Sequence, residues 1–190
     1  MNPSDGVQKL AAALSVAVRV EAELIRAVRL RVFPTLDVGA ESELWFSDHV
    51  GVREPGSIVF RQDARRRLQD ELGEMLRAAQ SRNPIHNLWD GVISRVHATL
   101  PPALWTEEYV TWLAIVEGSG ASGKIEAELA RALAAFHDGR SGIGDWFAGA
   151  YHRLPEIARA TPAARELLEA SRAQVRMALH RRGDMLDVGL

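Results

Sequence analysis

DARRRLQDELGEMLRAA, residues 63–79, is the stretch of sequence that decides the fold class. Its apolar residues recur three or four positions apart, which places them on one face of a helix. They are Leu68, Leu72, Met75, Leu76 and Ala79. The charged residues fall largely on the opposite face and are Arg65, Arg66, Asp70, Glu71 and Glu74. We therefore predict a long amphipathic helix that buries one stripe and exposes its arginines.

Similar apolar stripes cover most of the remaining chain. The first helix is predicted over residues 5–31, because Asp5 and Gln8 resemble a capping box and Pro34 stops the helix. Later helices are predicted to begin at Pro84, at Thr106, near Ile125, at Asp145 and at Pro162. Pro101 and Pro102 are predicted to end the helix from Pro84, and Gly183 is predicted to end the last one.

These stripes predict an all-α fold, a single-domain bundle of about seven to eight helices. The helical domain is predicted over residues 1–183. Residues 184–190 are predicted to be a tail, which we expect to begin a linker to a further domain.

Residues 35–60 are the least regular part of the sequence, and we expect them to carry a specific function. Asp37 is placed to cap a short helix that holds Trp45 and Phe46. Residues 54–56, EPG, are typical of a turn. Residues 57–60 are the stretch that also fits a strand.

The composition is that of a globular protein and excludes several classes of site. The 190 residues are 47% hydrophobic and 25% charged, and the net charge of -2 gives no strong field to attract nucleic acid or an anionic membrane. The absence of cysteine excludes disulfides, thiolate metal sites and cysteine nucleophiles. We find no signal-peptide pattern and no apolar run of about 18 residues, so we expect a cytoplasmic protein without membrane contact.

Residues 118–124, GSGASGK, have the glycine and lysine spacing of a phosphate-binding loop. However, Ile125 stands where a serine or threonine would hold magnesium, and the preceding stripe is helical where that motif requires a strand. A flexible connection between two helices is the favoured interpretation. We predict no cofactor.

The six histidines show no metal-binding spacing, so no metal site is predicted. His97 ends one predicted helix, and Glu107 and Glu108 lie in the first turn of the next. We predict a structural contact between His97 and one of these carboxylates. Catalysis is the less favoured interpretation, because no nucleophile stands out nearby.

Two other groups of residues leave functional alternatives open. Residues 37–49, which contain Asp37, Glu41 and the pair Asp48-His49, could act with His97 as an enzymatic or small-ligand site. Two basic clusters could contact nucleic-acid phosphates. They are Arg61, Arg65, Arg66 and Arg67, and Arg172, Arg176, His180, Arg181 and Arg182. The slightly negative net charge and the lack of interleaved aromatic residues argue against nucleic-acid binding.

Trp45 and Phe46 are the main candidates for contact with a partner. Trp89 and Trp112 lie on predicted apolar stripes, whereas Trp45 lies in the irregular segment. Tryptophan is enriched at the hot spots of protein interfaces. The neighbouring Asp37 and Glu41 complete this candidate partner-binding set.

Residues 36–41, LDVGAE, followed by residues 44–46, LWF, resemble helical modules of large actinobacterial proteins in NTP-dependent conflict systems. Those systems are encoded with MoxR-type AAA+ ATPases and von Willebrand A-like proteins. Later stretches resemble these modules in the same order. They are Val96-His97 with LPPA at 100–103, Glu107-Glu108 with TWLA at 111–114, and RLP at 153–155. The resemblance implies an adaptor or regulatory region beside a separate effector domain.

The leading hypothesis is therefore a non-enzymatic, helical protein–protein interaction module, an adaptor or regulatory part of a bacterial conflict (defence) protein. Its expected partners are other proteins of the same system or other domains of the parent chain. The small-ligand or enzymatic site is the alternative, and nucleic-acid binding through the arginines is the second alternative.

Overall fold

The computed structural model describes the backbone of residues 3–139 and 143–187 and the side chains of residues 5–139 and 143–177. The chain forms two compact units, residues 1–100 and residues 101–190. Both are mostly helical, which confirms the predicted fold class. Within the described residues, no helix is both long enough and apolar enough to cross a membrane.

The first unit packs three helices against α1 and also contains a small sheet. Its elements are α1 (Pro3–Leu14), β1 (Val20–Glu21), α2 (Ala22–Val32), α3 (Gly39–Trp45), β2 (Val50–Glu54), β3 (Ser57–Phe60), α4 (Gln62–Ala78) and α5 (Ser94–Val96). α1 packs against α2, α3 and α4. The core between these helices includes Leu10, Leu14, Leu24, Leu44, Leu68 and Leu72.

The sheet has the strand order β1-β3-β2, and both pairings are antiparallel. The central strand β3 is the strand predicted at residues 57–60. The sequence does not predict its neighbours, because β1 has only two residues and β2 exposes every residue after Val50. Neither strand shows the alternation of apolar and polar residues that identifies a half-buried strand.

The single first helix predicted over residues 5–31 is wrong. α1 ends at Leu14 and α2 begins at Ala22, with a turn and β1 between them. In the turn, the Ser15 hydroxyl donates to the Ala12 carbonyl at 2.7 Å. Residues 16–18 of the turn are apolar, and Val16 and Ala17 are buried, so the apolar stripe continues in the sequence although the helix does not.

Arg65 explains where α1 ends. Its Nε donates to the Ser15 carbonyl and its Nη2 to the Val16 carbonyl, each at 2.9 Å, and Gln69 Nε2 donates to Ser15 at 3.1 Å. Ser15 and Val16 directly follow α1, so their buried carbonyls have no partner within the helix, and a cation there also complements the helix dipole. Arg65 is therefore only 7% exposed, and the prediction that it lies on the solvent face of α4 is wrong.

The helix predicted from Pro84 begins as expected but is not a regular α-helix. Asn83 Oδ1 accepts from the Ile85 N–H at 3.0 Å, which is the predicted cap. The segment then passes through a 3₁₀ turn, Pro84–Asn87, and a π-helical turn, Trp89–Ile93, before α5. The stripe of apolar residues nevertheless stays buried.

The second unit is helical in every element that the structure describes. Its elements are α6 (Pro102–Glu117), a 3₁₀ turn (Gly118–Ala121), α7 (Ser122–His137), α8 (Ile143–Ala150), α9 (Glu156–Arg159) and α10 (Pro162–Asp187). α10 packs against α7 and α8. The core includes Val110, Leu113, Ile125, Leu129, Phe147 and Leu167.

The predicted start of α6 at Thr106 is wrong. The helix begins at Pro102, because proline is tolerated at the first helical position, where the missing N–H has no intrahelical partner. Glu107 and Glu108 consequently lie inside α6 instead of in its first turn. The sequence therefore does not reveal that both carboxylates are buried.

Two boundaries in the second half of this unit also differ from the prediction. Asp145 lies within the first turn of α8 and not before it. α10 begins as predicted, with the Thr161 hydroxyl accepting from the Ala164 N–H at 3.3 Å, but it continues past Gly183 to Asp187. A single glycine inside a helix costs only about 1 kcal/mol, so it does not have to end one. Residues 188–190 of the predicted tail lie outside the described residues.

We predict that Arg65→Met lowers the free energy of unfolding by about 3 kcal/mol, because it leaves the buried carbonyls at the end of α1 without their charged donor. Urea denaturation of the purified chain measures this change. Arg67→Met on the same helix is the control, since Arg67 is exposed and its guanidinium lies 3.6 Å from the exposed Asp63 carboxylate. We expect the control to change stability by less than about 0.5 kcal/mol. Equal effects of the two substitutions would contradict the role given to Arg65.

Candidate functional site

The Trp45–Phe46 pair lies at the C-terminal end of α3. Leu44 is fully buried against the core and fixes the orientation of this short helix. Phe46 is 74% exposed, the largest exposed fraction among the large apolar side chains that the structure describes. Trp45 is half-buried. The end of α3 therefore presents aromatic surface to solvent.

A small pocket opens beside these two aromatic side chains. It has a volume of about 180 Å³ and is lined by Ala22, Ile25, Glu41, Ser42, Trp45 and Phe46. We call these six residues the α3 pocket. Small-molecule sites usually have volumes of about 300–1,000 Å³. The α3 pocket is smaller than these and matches the size of a single inserted side chain.

Arg53 of β2 holds the end of α3 in place. Its Nε donates to the Trp45 carbonyl at 2.9 Å, and its Nη2 donates to the Ser47 carbonyl at 3.3 Å. Its guanidinium carbon lies 5.9 Å from the centre of the Phe46 ring, within the range of a cation–π contact. The exposed aromatic ring is thus supported by a neighbouring strand.

Glu41 and Asp37, the acidic members of the predicted set, have different positions. Glu41 Oε1 accepts from Arg29 Nε at 2.6 Å, and its Oε2 lies 3.8 Å from Arg26 Nε, so Glu41 joins α3 to α2 and forms the polar side of the pocket. Asp37 Oδ1 accepts from the Gly39 N–H at 2.5 Å. The predicted capping role of Asp37 is therefore confirmed, and its place is at the start of α3.

His49 belongs to a separate polar chain. One ring nitrogen lies 2.8 Å from Gln8 Oε1, and Gln8 Nε2 donates to both carboxylate oxygens of Glu71, at 2.9 and 2.7 Å. These contacts connect the segment before β2 to α1 and α4. The structure thus brings Trp45, Phe46 and Glu41 together at the α3 pocket. His49 instead belongs to the polar chain with Gln8 and Glu71.

His97 forms a histidine–carboxylate contact with Glu21, a residue that the sequence does not single out, and its predicted contact with Glu107 or Glu108 stays a prediction. His97 is 2% exposed, and its Nε2 lies 2.9 Å from Glu21 Oε2. Glu21 also accepts from Arg19 Nε at 2.8 Å. Burial raises the pKa of Glu21, but the hydrogen bonds from His97 and Arg19 outweigh it and lower the pKa to about 2.

Glu107 and Glu108 are both buried in α6. Arg153 donates to both oxygens of Glu107, at 2.9 and 2.8 Å, and Trp146 Nε1 donates to Glu107 Oε2 at 3.1 Å. The hydrogen bond to Glu107 raises the pKa of Arg153. A buried carboxylate requires such a partner, so Glu107 stabilises the packing of α6 and α8 and fixes the indole of Trp146.

The arginines of the two predicted basic clusters have different surroundings in the structure. Arg65 is buried at the end of α1, and Arg61 and Arg67 lie 3.4 and 3.6 Å from the same Asp63 carboxylate oxygen. Arg172 and Arg176 are exposed on α10. His180, Arg181 and Arg182 lie outside the residues whose side chains the structure describes. Nucleic-acid binding therefore stays a prediction.

Residues 118–121 of the glycine-rich stretch form the predicted connection between α6 and α7, and residues 122–124 already belong to α7. Lys124, the lysine of the motif, donates to Glu117 Oε1 at 2.7 Å, and this hydrogen bond raises its pKa. In the described parts of the chain, no group of three or more histidine, aspartate and glutamate residues could hold a metal ion.

The sequence does not single out Arg53 or the α2 residues Ala22 and Ile25 as parts of this site. Their partners come from elements that are not continuous with them in the sequence, and no local spacing marks such contacts. From residue type alone, the signal for this site is the aromatic pair Trp45 and Phe46 directly after the apolar Leu44.

No family model, no curated protein and no solved structure matches this chain.

We predict that Glu21→Gln lowers the free energy of unfolding at pH 7 by about 1–3 kcal/mol, because it removes a charged acceptor from His97 and Arg19. The pKa of Glu21 is about 2 in the folded chain against an ordinary value of 4.5. The stabilisation is therefore fully present above about pH 5 and is lost as the pH falls toward 2. Urea denaturation between pH 7 and pH 3 measures the difference between the two proteins, which should shrink as the pH falls.

The exposed neighbour Glu23 provides the control, as Glu23→Gln removes the same charge from α2. We expect that substitution to change stability by less than about 0.5 kcal/mol throughout the pH range. A difference between Glu21→Gln and the wild type that stays constant down to pH 3 would contradict the low pKa of Glu21.

Proposed function

We propose that this chain is a non-enzymatic protein-interaction module that binds a partner protein at the α3 pocket. The observation that carries this proposal is the position of Phe46, a 74% exposed aromatic side chain at the edge of a pocket large enough for one side chain. The partner would insert an apolar side chain into the pocket and cover the Phe46 ring.

The free energy of such an interface would come from apolar area that the folded chain leaves in water. Full burial of a phenylalanine side chain is worth about 1.5–3 kcal/mol. Tryptophan and arginine are among the residues most often found at binding hot spots. The aromatic centre of the interface would consist of Trp45 and Phe46. The exposed Arg26 and Arg53 at its edges would form the polar rim that protein interfaces usually have.

The α3 pocket is also preorganised. Leu44 anchors α3 from inside, the Glu41–Arg29 ion pair joins it to α2, and Arg53 supports its last turn from β2. A surface held in this way loses little conformational freedom on binding, which favours affinity.

The enzymatic alternative has less support from the same geometry. The titratable side chains considered for it have structural partners in the folded chain: Asp37 caps α3, Glu41 pairs with Arg29, His49 contacts Gln8 and His97 contacts Glu21. Acid–base catalysis requires such groups to converge on one space that substrate can enter. The α3 pocket contains only Glu41 of this set.

The biological setting that we propose is a bacterial conflict system, in which the chain would act as an adaptor or regulatory module. The support for this setting is the resemblance at residues 36–46 and 96–114. Four of the six residues of the α3 pocket lie in the first of these stretches: Glu41, Ser42, Trp45 and Phe46. The proposed partners are other proteins of that system or other domains of a longer parent chain.

The test compares the wild-type chain with two matched substitutions, Phe46→Ser and Leu30→Ser. Leu30 is 53% exposed on α2 and does not line the α3 pocket. Each protein is immobilised, exposed to lysate of the organism that encodes it, and the bound proteins are quantified by mass spectrometry. We expect one protein to bind to the wild type and to Leu30→Ser, with at least a tenfold loss on Phe46→Ser, or about 1.4 kcal/mol.

Equal recovery of that protein on all three surfaces would contradict docking at the α3 pocket. Absence of any stoichiometric protein partner would contradict the proposed function as a whole. Circular dichroism of the two variants checks that each keeps the helical content of the wild type.

A further inference from the structure

A second cavity lies within the second unit, among α6, α7 and α8. Its volume is about 580 Å³, which falls in the range of about 300–1,000 Å³ that is usual for small-molecule sites. Its walls are mostly apolar and include Pro101, Pro102, Ala132, Ala135, Ile143 and Trp146. None of the residues assigned to the α3 pocket takes part in it.

The cavity has a rigid frame. Pro101 and Pro102 restrict the backbone at the start of α6. In α8, Trp146 Nε1 donates to the buried Glu107, which Arg153 also binds. The indole is therefore fixed in orientation, and it offers an aromatic surface to a molecule in the cavity.

One carboxylate faces this apolar space. Glu128 and its ion-pair partner Arg131 both line the cavity, but the Glu128 side chain is only 12% exposed whereas that of Arg131 is 71% exposed. Water screens an exposed charge more effectively than an enclosed one. A ligand that displaces the exposed guanidinium into water meets the enclosed carboxylate, which favours a cation over an anion.

We infer that this cavity binds a hydrophobic amine, a small molecule with an apolar body and one protonated amino group. The apolar body would fill the space between the prolines and α7, with its edge against Trp146. The ammonium group would donate a hydrogen bond to Glu128 and lie within reach of a cation–π contact with the indole. Arg131 would turn toward solvent when the amine takes its place.

The test measures the binding of three probes with one carbon skeleton to the complete 190-residue chain. The probes are 1-naphthylmethylamine, 1-naphthylmethanol and 1-naphthoic acid, and isothermal titration calorimetry gives their dissociation constants. We expect the amine to bind at least tenfold more tightly than the alcohol, and the acid to bind most weakly. Glu128→Gln should reduce the affinity for the amine to that for the alcohol and leave the alcohol unchanged.

A matched pair of substitutions on α7 locates the site. Ala135→Phe places a ring inside the cavity and should weaken the binding of the amine at least tenfold. Ala134→Phe places the same ring at the adjacent exposed position and should leave binding within twofold of the wild type. The thermal unfolding midpoint of each variant confirms that it is folded.

Failure of all three probes to bind at millimolar concentration would overturn the inference. Equal affinities for the amine and the alcohol would overturn the role of Glu128. Retention of amine binding by Ala135→Phe would place the molecule elsewhere and would also overturn it. These outcomes are independent of the α3 pocket, since none of the substitutions lies in the first unit.

Discussion

The buried guanidinium of Arg65 is the interaction on which the first unit depends. By donating to the carbonyls of Ser15 and Val16, it satisfies the C-terminal end of α1 and makes the chain turn there. The turn lets β1 pair with β3 and lets α2 begin at Ala22. Ala22 then becomes one wall of the α3 pocket. A contact inside the core thus determines the geometry of a surface site.

The candidate site is defined as much by how its polar groups are satisfied as by its aromatic residues. Glu41 holds α3 against α2 through its ion pair with Arg29. Asp37 accepts a hydrogen bond at the first turn of α3, and Arg53 donates to the carbonyls at its last turn. These contacts satisfy charges that would otherwise attract water or a ligand. The exposed feature that is left at the end of α3 is apolar, and an apolar surface on a rigid support favours contact with another protein.

The helices and the aromatic candidates could be predicted from the sequence because the signals for them are local. Apolar spacing identifies α4 and α7, Asn83 and Thr161 mark helix starts, and Trp45 and Phe46 stand out by residue type. The end of α1 could not be predicted, because the residue that fixes it lies 50 positions away from Ser15. Likewise, His97 is a residue type that needs a partner, but Glu21 is 76 positions distant and belongs to a strand that shows no pattern. Long-range contacts of this kind determine the pocket walls as well.

Docking at the α3 pocket can be tested by amide hydrogen–deuterium exchange of the chain, free and saturated with its captured protein partner. Binding should slow exchange in α3 and in the first turn of α2, the two elements that line the α3 pocket. Exchange in the second unit should change little. Protection confined to the second unit, with α3 exchanging at the same rate in both states, would contradict docking at the α3 pocket.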